Sequence, residues 1–286
     1  DWVCPTELPD LRQRKIVAID SETKDDGLAA GSGAGWAFKA GHIAGVCLAA
    51  AGYRGYIPIR HPDTPGCFET ERVGRWYKDH VAAGVRFVMH KAVYDCGWLR
   101  AEWDAPVPDS LDDTMIMMYE LDENRLEYNL DSVCATLGIP GKDEHLLREA
   151  ASTYLGARTE QEIKSQLWRL PARYVAPYGE QDAVSTLKAR ELMFPLLEAQ
   201  ELESAYQLEM DLLPLIVVMR WRGIRVDEDY AERLRERYAV KREEALAQLT
   251  HQIGGPKLRF KDENSGTWKR RMFDQHGIKY PWTAGT

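Results

Sequence analysis

The sequence predicts an α/β domain in which helices flank a mixed β-sheet. The strand pattern KIVAID near the start is followed by two more apolar runs, HIAGVCLAA and GYRGYIPI. Segments with helical spacing then alternate with a further strand pattern, VRFVMH. The 286 residues are 44% hydrophobic with a formal net charge of −8, which is typical of a globular protein.

The elements of the first third follow from local signals. The second and third strand patterns are separated by Ala51 and Gly52, which predicts a hairpin. FETERVGRWYKDHVAAG has helical spacing and ends at Gly84, and KAVYDCGWLRAEW after VRFVMH predicts another helix. The predicted order is therefore β-β-β-α-β-α. The glycine- and alanine-rich stretch 27–41 predicts a loop, and without a GK[ST] ending it is not a phosphate-binding P-loop.

The following segments predict helices. Two are expected within residues 112–137. PYGEQDAVSTLKARELMFPLLEAQ predicts a helix from Pro177 to about residue 200, because proline is favourable in a first helical turn.

The pattern changes from about residue 205. YQLEMDLLPLIVVMRW predicts a long helix that ends in a turn at Gly223. Asp227 is the expected N-cap of the charged helix that follows, and NSGTWKRRMFDQHGI predicts one more capped helix ending at Gly277.

Composition excludes several classes. The apolar run LLPLIVVM has eight residues, too few for a membrane span, and the N-terminal DWVCPTELPDLRQRK lacks the apolar core of a signal peptide. We therefore expect a cytoplasmic protein with no membrane partner. Five cysteines without a CxxC pair predict reduced structural thiols. The negative net charge argues weakly against binding of nucleic acid through the overall charge of the protein, although bound metal ions would supply positive charge locally.

Acidic residues stand at three places with structural context. Asp20 and Glu22 end the first strand, and residues i and i+2 of a strand point to the same side. Asp95 follows the VRFVMH strand, and Tyr178 and Asp182 are spaced to share one helix face. Each alone has an ordinary interpretation as a surface acid or a surface pair. Their order and placement together predict one shared cavity.

Four converging carboxylates would be unfavourable in an empty cavity, because like charges repel. Two hard divalent cations, Mg²⁺ or Mn²⁺, would offset the repulsion between these carboxylates, since both ions prefer carboxylate and water oxygens. Such a pair clamps the attacking and leaving oxygens of a phosphoryl displacement. The predicted chemistry is phosphodiester hydrolysis, with Tyr178 holding the attacking water.

The segments VAIDSET, VMHKAVYD and YGEQDAV resemble the three exonuclease motifs of the DEDD superfamily, in the subclass with tyrosine in the third motif. The resemblance implies a ribonuclease H-like sheet and two-metal hydrolysis of nucleic acid from the 3′ end. DDTMIMMYELDENRLEYNLDSVCATLGI resembles the linking region of the proofreading domain in family A DNA polymerases, especially phage ones.

The later segments VVMRWRGIRVDEDYAERL and DENSGTWKRRMFDQHGI resemble the passage from the exonuclease into the base of the polymerase thumb. The resemblance therefore implies two domains. Residues 1–204 would form the 3′→5′ exonuclease, and residues 205–286 a helical segment that starts the polymerase domain.

The resemblance also implies metal ligands. Asp20, Glu22 and Asp182 would hold the nucleophile-side metal. Asp20 would bridge to the second metal, which Asp95 would reach directly or through water.

Three further residues are expected to bind substrate. Thr23 would lie close to the terminal nucleotide, and Leu28 is the candidate apolar wedge for the terminal bases. Lys91 stands where the second motif commonly carries asparagine. Pointing inward, it would pair with Asp95 and compete with the second metal; pointing outward, it would contact a DNA phosphate or nothing. Our hypothesis from the sequence is that Lys91 lowers metal affinity and slows cleavage.

The leading functional interpretation is a 3′→5′ exonuclease that removes mismatched DNA ends for a family A polymerase. Its partners would be single-stranded or frayed 3′ DNA ends and the polymerase domain of the same, longer parent chain. One alternative is a stand-alone RNA exonuclease similar to ribonuclease D. The other is a DNA-holding module with a weakened site, which Lys91 favours.

Overall fold

The computed structural model describes residues 2–253, 266–277 and 279. Its centre is a five-stranded sheet of order β3-β2-β1-β4-β5, so the predicted α/β class is confirmed. Strand β2 runs antiparallel to both β1 and β3, whereas β4 and β5 run parallel to β1. The strands are β1 (Ile16–Asp25), β2 (Gly41–Ala50), β3 (Tyr53–Pro58), β4 (Arg86–Met89) and β5 (Leu111–Asp113).

The stretch 27–41 is more ordered than the predicted loop. It begins within helix α1 (Asp26–Ala29) and contains a 3₁₀ turn over Gly35–Phe38. Trp36 of this turn is fully buried, and it lies so close to Gly97 that a β-carbon there would be 2.1 Å from the indole. The tryptophan therefore fixes the segment to the domain.

Helices connect and cover the parallel strands. The predicted β-β-β-α-β-α order is confirmed up to residue 103, with α2 (Thr70–Ala82) before β4 and α3 (Ala92–Trp103) after it. Strand β5 was not predicted, because three residues carry too short a pattern. The next helices are α4 (Thr114–Leu121), α5 (Leu130–Leu137), α6 (His145–Leu155), α7 (Glu160–Lys164), α8 (Ala172–Ala199) and α9 (Glu203–Arg222).

The predicted start of α8 was wrong. The helix begins at Ala172, so Pro177 lies inside it rather than in its first turn. Pro171 stands at the N-cap, and the fully buried Val175 and Ala176 show that this earlier turn is packed into the core. Packing of that face outweighs the hydrogen bond that a proline cannot donate.

The sheet has an apolar layer on each face. Val17 and Ile19 of β1 belong to one buried cluster, together with Leu99 of α3. Ala18 of β1 belongs to the other, together with Val175 of α8. Because side chains alternate along a strand, residues 20 and 22 continue the second face, beneath α8.

The chain divides into two compact units, residues 1–223 and 224–286. The first unit includes α9 and therefore extends past residue 204. The predicted boundary at 204/205, which separates the exonuclease from the start of the polymerase domain, stays a prediction. The second unit contains α10 (Glu228–Ile253) and α11 (Gly266–Gln275). Asp227 accepts a hydrogen bond from the Tyr230 backbone at 2.8 Å, as predicted for the N-cap of α10. The last helix was predicted to end at Gly277. Helix α11 ends at Gln275, and Gly277 follows with a left-handed φ of +64°, as is typical of a glycine just after a helix.

None of the helices in the described ranges is both long enough and apolar enough to cross a membrane.

Candidate active site

Strand β1 presents two acids to the space beneath α8. The prediction that the strand ends at Asp20 and Glu22 was wrong, because pairing with β2 continues to Asp25 and places both acids within the strand. Asp20 pairs with Cys47 of β2 and Glu22 with Gly45, and the register shifts just after Glu22. Such an irregularity twists the strand and re-aims its side chains. The carboxylates of Asp20 and Glu22 and the thiol of Cys47 place ligand atoms within 4.8 Å of one another.

Asp95 joins these acids from the first turn of α3. The pairing of β1 with β4 ends at Ala18, and further along β1 the backbone N–H of Ser21 donates to Asp95 Oδ1 at 3.0 Å. The Ser21 hydroxyl donates to the same oxygen at 2.5 Å. Asp95 is 2% exposed. Its carboxylate accepts a backbone hydrogen bond from β1 that a residue of a neighbouring strand would otherwise accept.

Helix α8 supplies Tyr178 and Asp182, one turn apart and both buried. The helix comes very close to the sheet at Gly179. A β-carbon there would lie 2.3 Å from Cys47 Sγ and 3.4 Å from Glu22 Oε1. Glycine at this position therefore allows the third motif to approach the first.

The four carboxylates interact unfavourably. Burial, followed by the negative charge of Asp182, raises the pKa of Asp20 from 3.8 to about 7. Burial and then the charge of Asp20 raise the pKa values of Glu22 and Asp95 well above their ordinary values, and burial raises that of Asp182. Without added cations, this cluster retains protons near neutral pH.

Lys142, which sequence reasoning missed, is the cation beside the cluster. Its ammonium lies 2.6 Å from Asp182 Oδ1 and 3.2 Å from Asp131 Oδ1. Burial disfavours its charge, but Asp182 and Asp131 outweigh burial and raise the pKa of Lys142. The residue lies between α5 and α6, outside any periodic segment, so no local pattern distinguishes it.

Cys47 was predicted to be a structural thiol, and it is free and fully buried. Burial and then the charge of Asp20 raise the pKa of Cys47 well above its ordinary value. Only the register between β1 and β2 places it there. That register depends on the length of the intervening segment, which the sequence pattern does not determine.

The expected substrate residues lie around the acids. Thr23 Oγ1 is 2.8 Å from the Tyr94 hydroxyl, which donates to Asp25 at 3.0 Å. Asp25 also accepts from the backbone of Leu28 at 2.8 Å, capping α1. The side chain of Leu28 is 54% exposed, so an apolar group faces solvent after the first motif.

Lys91 is exposed at the N-cap of α3, with a left-handed φ of +68°. Among the described residues, Asp95 is hydrogen-bonded to Ser21, and no ion pair joins it to Lys91. This placement corresponds to the predicted alternative in which Lys91 points outward, away from Asp95. The structure thus brings together Asp20, Glu22, Asp95, Tyr178 and Asp182, and leaves Leu28 and Lys91 on the surface.

Comparison with known proteins gives relatives of one kind by sequence. A DNA-directed DNA polymerase of Pseudomonas phage M6 is 33% identical over 265 residues, which cover 87% of this chain and 37% of the relative. DNA polymerase DpoZ of Acinetobacter phage SH-Ab 15497 is 27% identical, covering 86% of this chain and 37% of the relative. The chain thus spans little more than a third of the length of these relatives. No protein-family model matches it.

Solved structures share the fold at low identity. NrnC of Brucella melitensis superimposes with a TM-score of 0.51 at 14% identity, covering 76% of this chain and 91% of that one. The POL domain of Pol1 from M. smegmatis gives 0.52 at 16% identity, covering 94% of this chain and 38% of that one. At this identity the likeness establishes the fold.

Proposed function

We propose that this chain, which is homologous to part of the phage DNA polymerases and has the fold of the DEDD exonucleases, is a metal-dependent 3′→5′ exonuclease. Its substrate would be a single-stranded or frayed 3′ DNA end. Its activity would be proofreading for the polymerase of a longer parent chain. The observation that carries the proposal is the convergence of four carboxylates from three separate segments into one buried cluster.

The donor set fits divalent cations. Carboxylate oxygens are the ligands that Mg²⁺ and Mn²⁺ prefer. Burial and then the charges of neighbouring carboxylates raise the pKa values of Asp20, Glu22 and Asp95, and bound cations would offset that repulsion. Asp20, Glu22, Asp95 and Asp182 would hold two such ions. When bound, these supply positive charge to the phosphate oxygens and activate water.

Tyr178 would act by hydrogen bonding rather than as a base. Burial, followed by the charge of Asp182, raises its pKa far above the ordinary value of 10, so the hydroxyl stays protonated. A fixed phenol in a buried site can hold a water molecule in line with the scissile bond. Ser21 would keep Asp95 oriented through its two hydrogen bonds.

The last residues of β1 and helix α1 would bind the terminal nucleotide. Thr23 lies just past Glu22, and the exposed Leu28 follows on α1 at a fixed distance set by the Asp25 cap. An exposed apolar side chain can stack on the unpaired bases of a frayed end. Lys91, exposed at the N-cap of α3, is available to a backbone phosphate.

The deciding experiment is digestion of 5′-labelled single-stranded DNA with a mismatched 3′ end in Mg²⁺, in Mn²⁺ and in EDTA. The wild type is compared with an Asp20→Ala/Glu22→Ala double variant and with Asp79→Ala, an exposed acid of α2. We expect a metal-dependent ladder that shortens from the 3′ end, is lost in the double variant and is retained in Asp79→Ala.

A parallel RNA substrate tests the main alternative. Faster shortening of RNA than of DNA would replace the proofreading assignment with an RNA exonuclease. DNA binding without any metal-dependent cleavage would replace it with the holding module.

A further inference from the structure

Lys142 has an unusual place for a lysine. It is 9% exposed, although lysine side chains are mostly solvated, and it comes from the connection between α5 and α6 rather than from any of the three motifs. Three oxygens lie near its ammonium, one each from Asp182, Asp131 and Tyr178, at 2.6, 3.2 and 3.5 Å. The two carboxylates are ion-paired with the ammonium, which also donates a hydrogen bond to the Tyr178 hydroxyl.

The contacts form a triangle with the third motif. The ammonium donates to the Tyr178 hydroxyl oxygen and lies 4.8 Å from the centre of the same ring. Asp182, one helical turn after Tyr178 on α8, is ion-paired with the same ammonium. Because an ammonium cannot accept a hydrogen bond, the phenol proton must point away from Lys142. One cation thus sets both the carboxylate position and the hydroxyl direction.

Asp131 holds Lys142 from the opposite side. It lies on α5, and Lys164 of α7 approaches its other carboxylate oxygen at 3.9 Å. Lys164 is 37% exposed and also pairs with Glu160, one helical turn away. The two lysines therefore share Asp131 as a partner but differ in burial and in contact with the third motif.

We propose that Lys142 is a positioning residue of the nuclease site, which fixes the Asp182 carboxylate and the Tyr178 hydroxyl relative to one another. The inference rests on the proposed exonuclease function and adds a residue outside the three motifs to it. Lys142 acts through Asp182 and Tyr178 and need not contact the substrate.

The test compares Lys142→Met, which keeps the length of the side chain but removes its charge, with Lys142→Arg, which keeps the charge. Lys164→Met is the matched control, because it removes the other lysine that faces Asp131. Steady-state cleavage of 5′-labelled DNA at saturating Mn²⁺ gives kcat and KM. Binding of Mn²⁺ without DNA, measured by electron paramagnetic resonance, gives a readout independent of catalysis, and thermal unfolding checks the fold.

For Lys142→Met we expect kcat to fall about 10- to 100-fold, as for other residues that orient metal ligands, with a much smaller change in KM. Mn²⁺ should bind about threefold more tightly or better, since a positive charge beside Asp182 has been removed. Lys142→Arg should recover most of kcat, and Lys164→Met should resemble the wild type.

Two results would overturn the inference. One is a Lys142→Met kcat within about twofold of wild type, since oriented groups contribute far more. The other is a parallel loss of kcat, Mn²⁺ affinity and thermal stability without recovery in Lys142→Arg, which would indicate a purely structural lysine. A wild type that binds Mn²⁺ but cleaves nothing would refute the exonuclease instead. The Mn²⁺ titration would then decide on Lys142, since unchanged affinity in Lys142→Met would refute its role beside Asp182.

Discussion

Two pairs of acids lie on strands of the same sheet, and their surroundings differ. Asp20 and Glu22 lie within β1, and Asp112 and Asp113 end β5. Asp112 and Asp113 are each 2% exposed, so burial alone does not separate the pairs.

The protein itself satisfies the β5 pair. Asp112 lies 3.0 Å from Arg190 and 3.3 Å from Arg86, and the Tyr206 hydroxyl donates to it at 3.2 Å. Asp113 accepts from the backbone N–H groups at the starts of α3 and α4, at 2.6 to 2.9 Å from Lys91, Ala92 and Met115. Asp112 and Asp113 therefore stabilise the fold through their contacts within the protein.

The β1 pair belongs to four carboxylates for which the described residues supply one nearby cation, Lys142. A buried acid therefore indicates a binding site when its partners within the protein are too few. The contrast can be tested by exchanging acids for neutral side chains in each pair.

The largest effect is expected for Asp20→Asn on catalysis. Loss of one metal-binding carboxylate should remove several kcal/mol of transition-state stabilisation and slow DNA cleavage about 10³-fold. The measurement is single-turnover digestion at saturating Mn²⁺. Retention of more than a tenth of the wild-type rate would remove Asp20 from the site.

Asp112→Ala should instead affect stability. It leaves Arg86 and Arg190 without their buried partner, which typically costs about 3 kcal/mol or more. Urea unfolding in EDTA measures the loss. Asp20→Ala, in the same conditions, should have the opposite sign, because it relieves repulsion. Equal destabilisation by both variants would remove the distinction between the pairs.

The pH dependence of the metal-free protein gives a third test. The pKa of Asp20 is about 7 when folded and 3.8 ordinarily, so between these values the folded state binds more protons than the unfolded state. Stability is therefore lost as pH rises, by about 2 kcal/mol between pH 5.5 and 7.5 from this group. Thermal unfolding in EDTA should show the decline. Asp20→Asn should flatten it, and Mg²⁺ should stabilise the wild type most at the higher pH.

The smallest effect is expected for Lys91→Asn. Lys91 has a left-handed backbone, which asparagine tolerates better, so the variant should gain up to about 1 kcal/mol of stability. Its exposed charge is screened, so cleavage should change by less than about twofold. A faster variant with tighter Mn²⁺ binding would instead support the hypothesis drawn from the sequence, that Lys91 weakens the metal site.

The predictable parts of the site are those that local periodicity determines. Asp20 and Glu22 share a strand face, and Tyr178 and Asp182 share a helix face, wherever those elements lie. Lys142 and Cys47 were missed because their positions depend on how distant segments pack. The start of α8 was misplaced for a related reason, since buried apolar contacts override the preference of Pro177 for a first turn.

Gly179 restricts how this site can vary. One added methyl group at this position would overlap the sulfur of Cys47 and push α8 away from the strand that carries the first motif. Tyr178 and Asp182 would move with the helix. Substitutions elsewhere on α8 can alter its charge or packing, but residue 179 tolerates little beyond a hydrogen atom. The distance between α8 and the sheet at the candidate site is thus set by a residue that has no side chain.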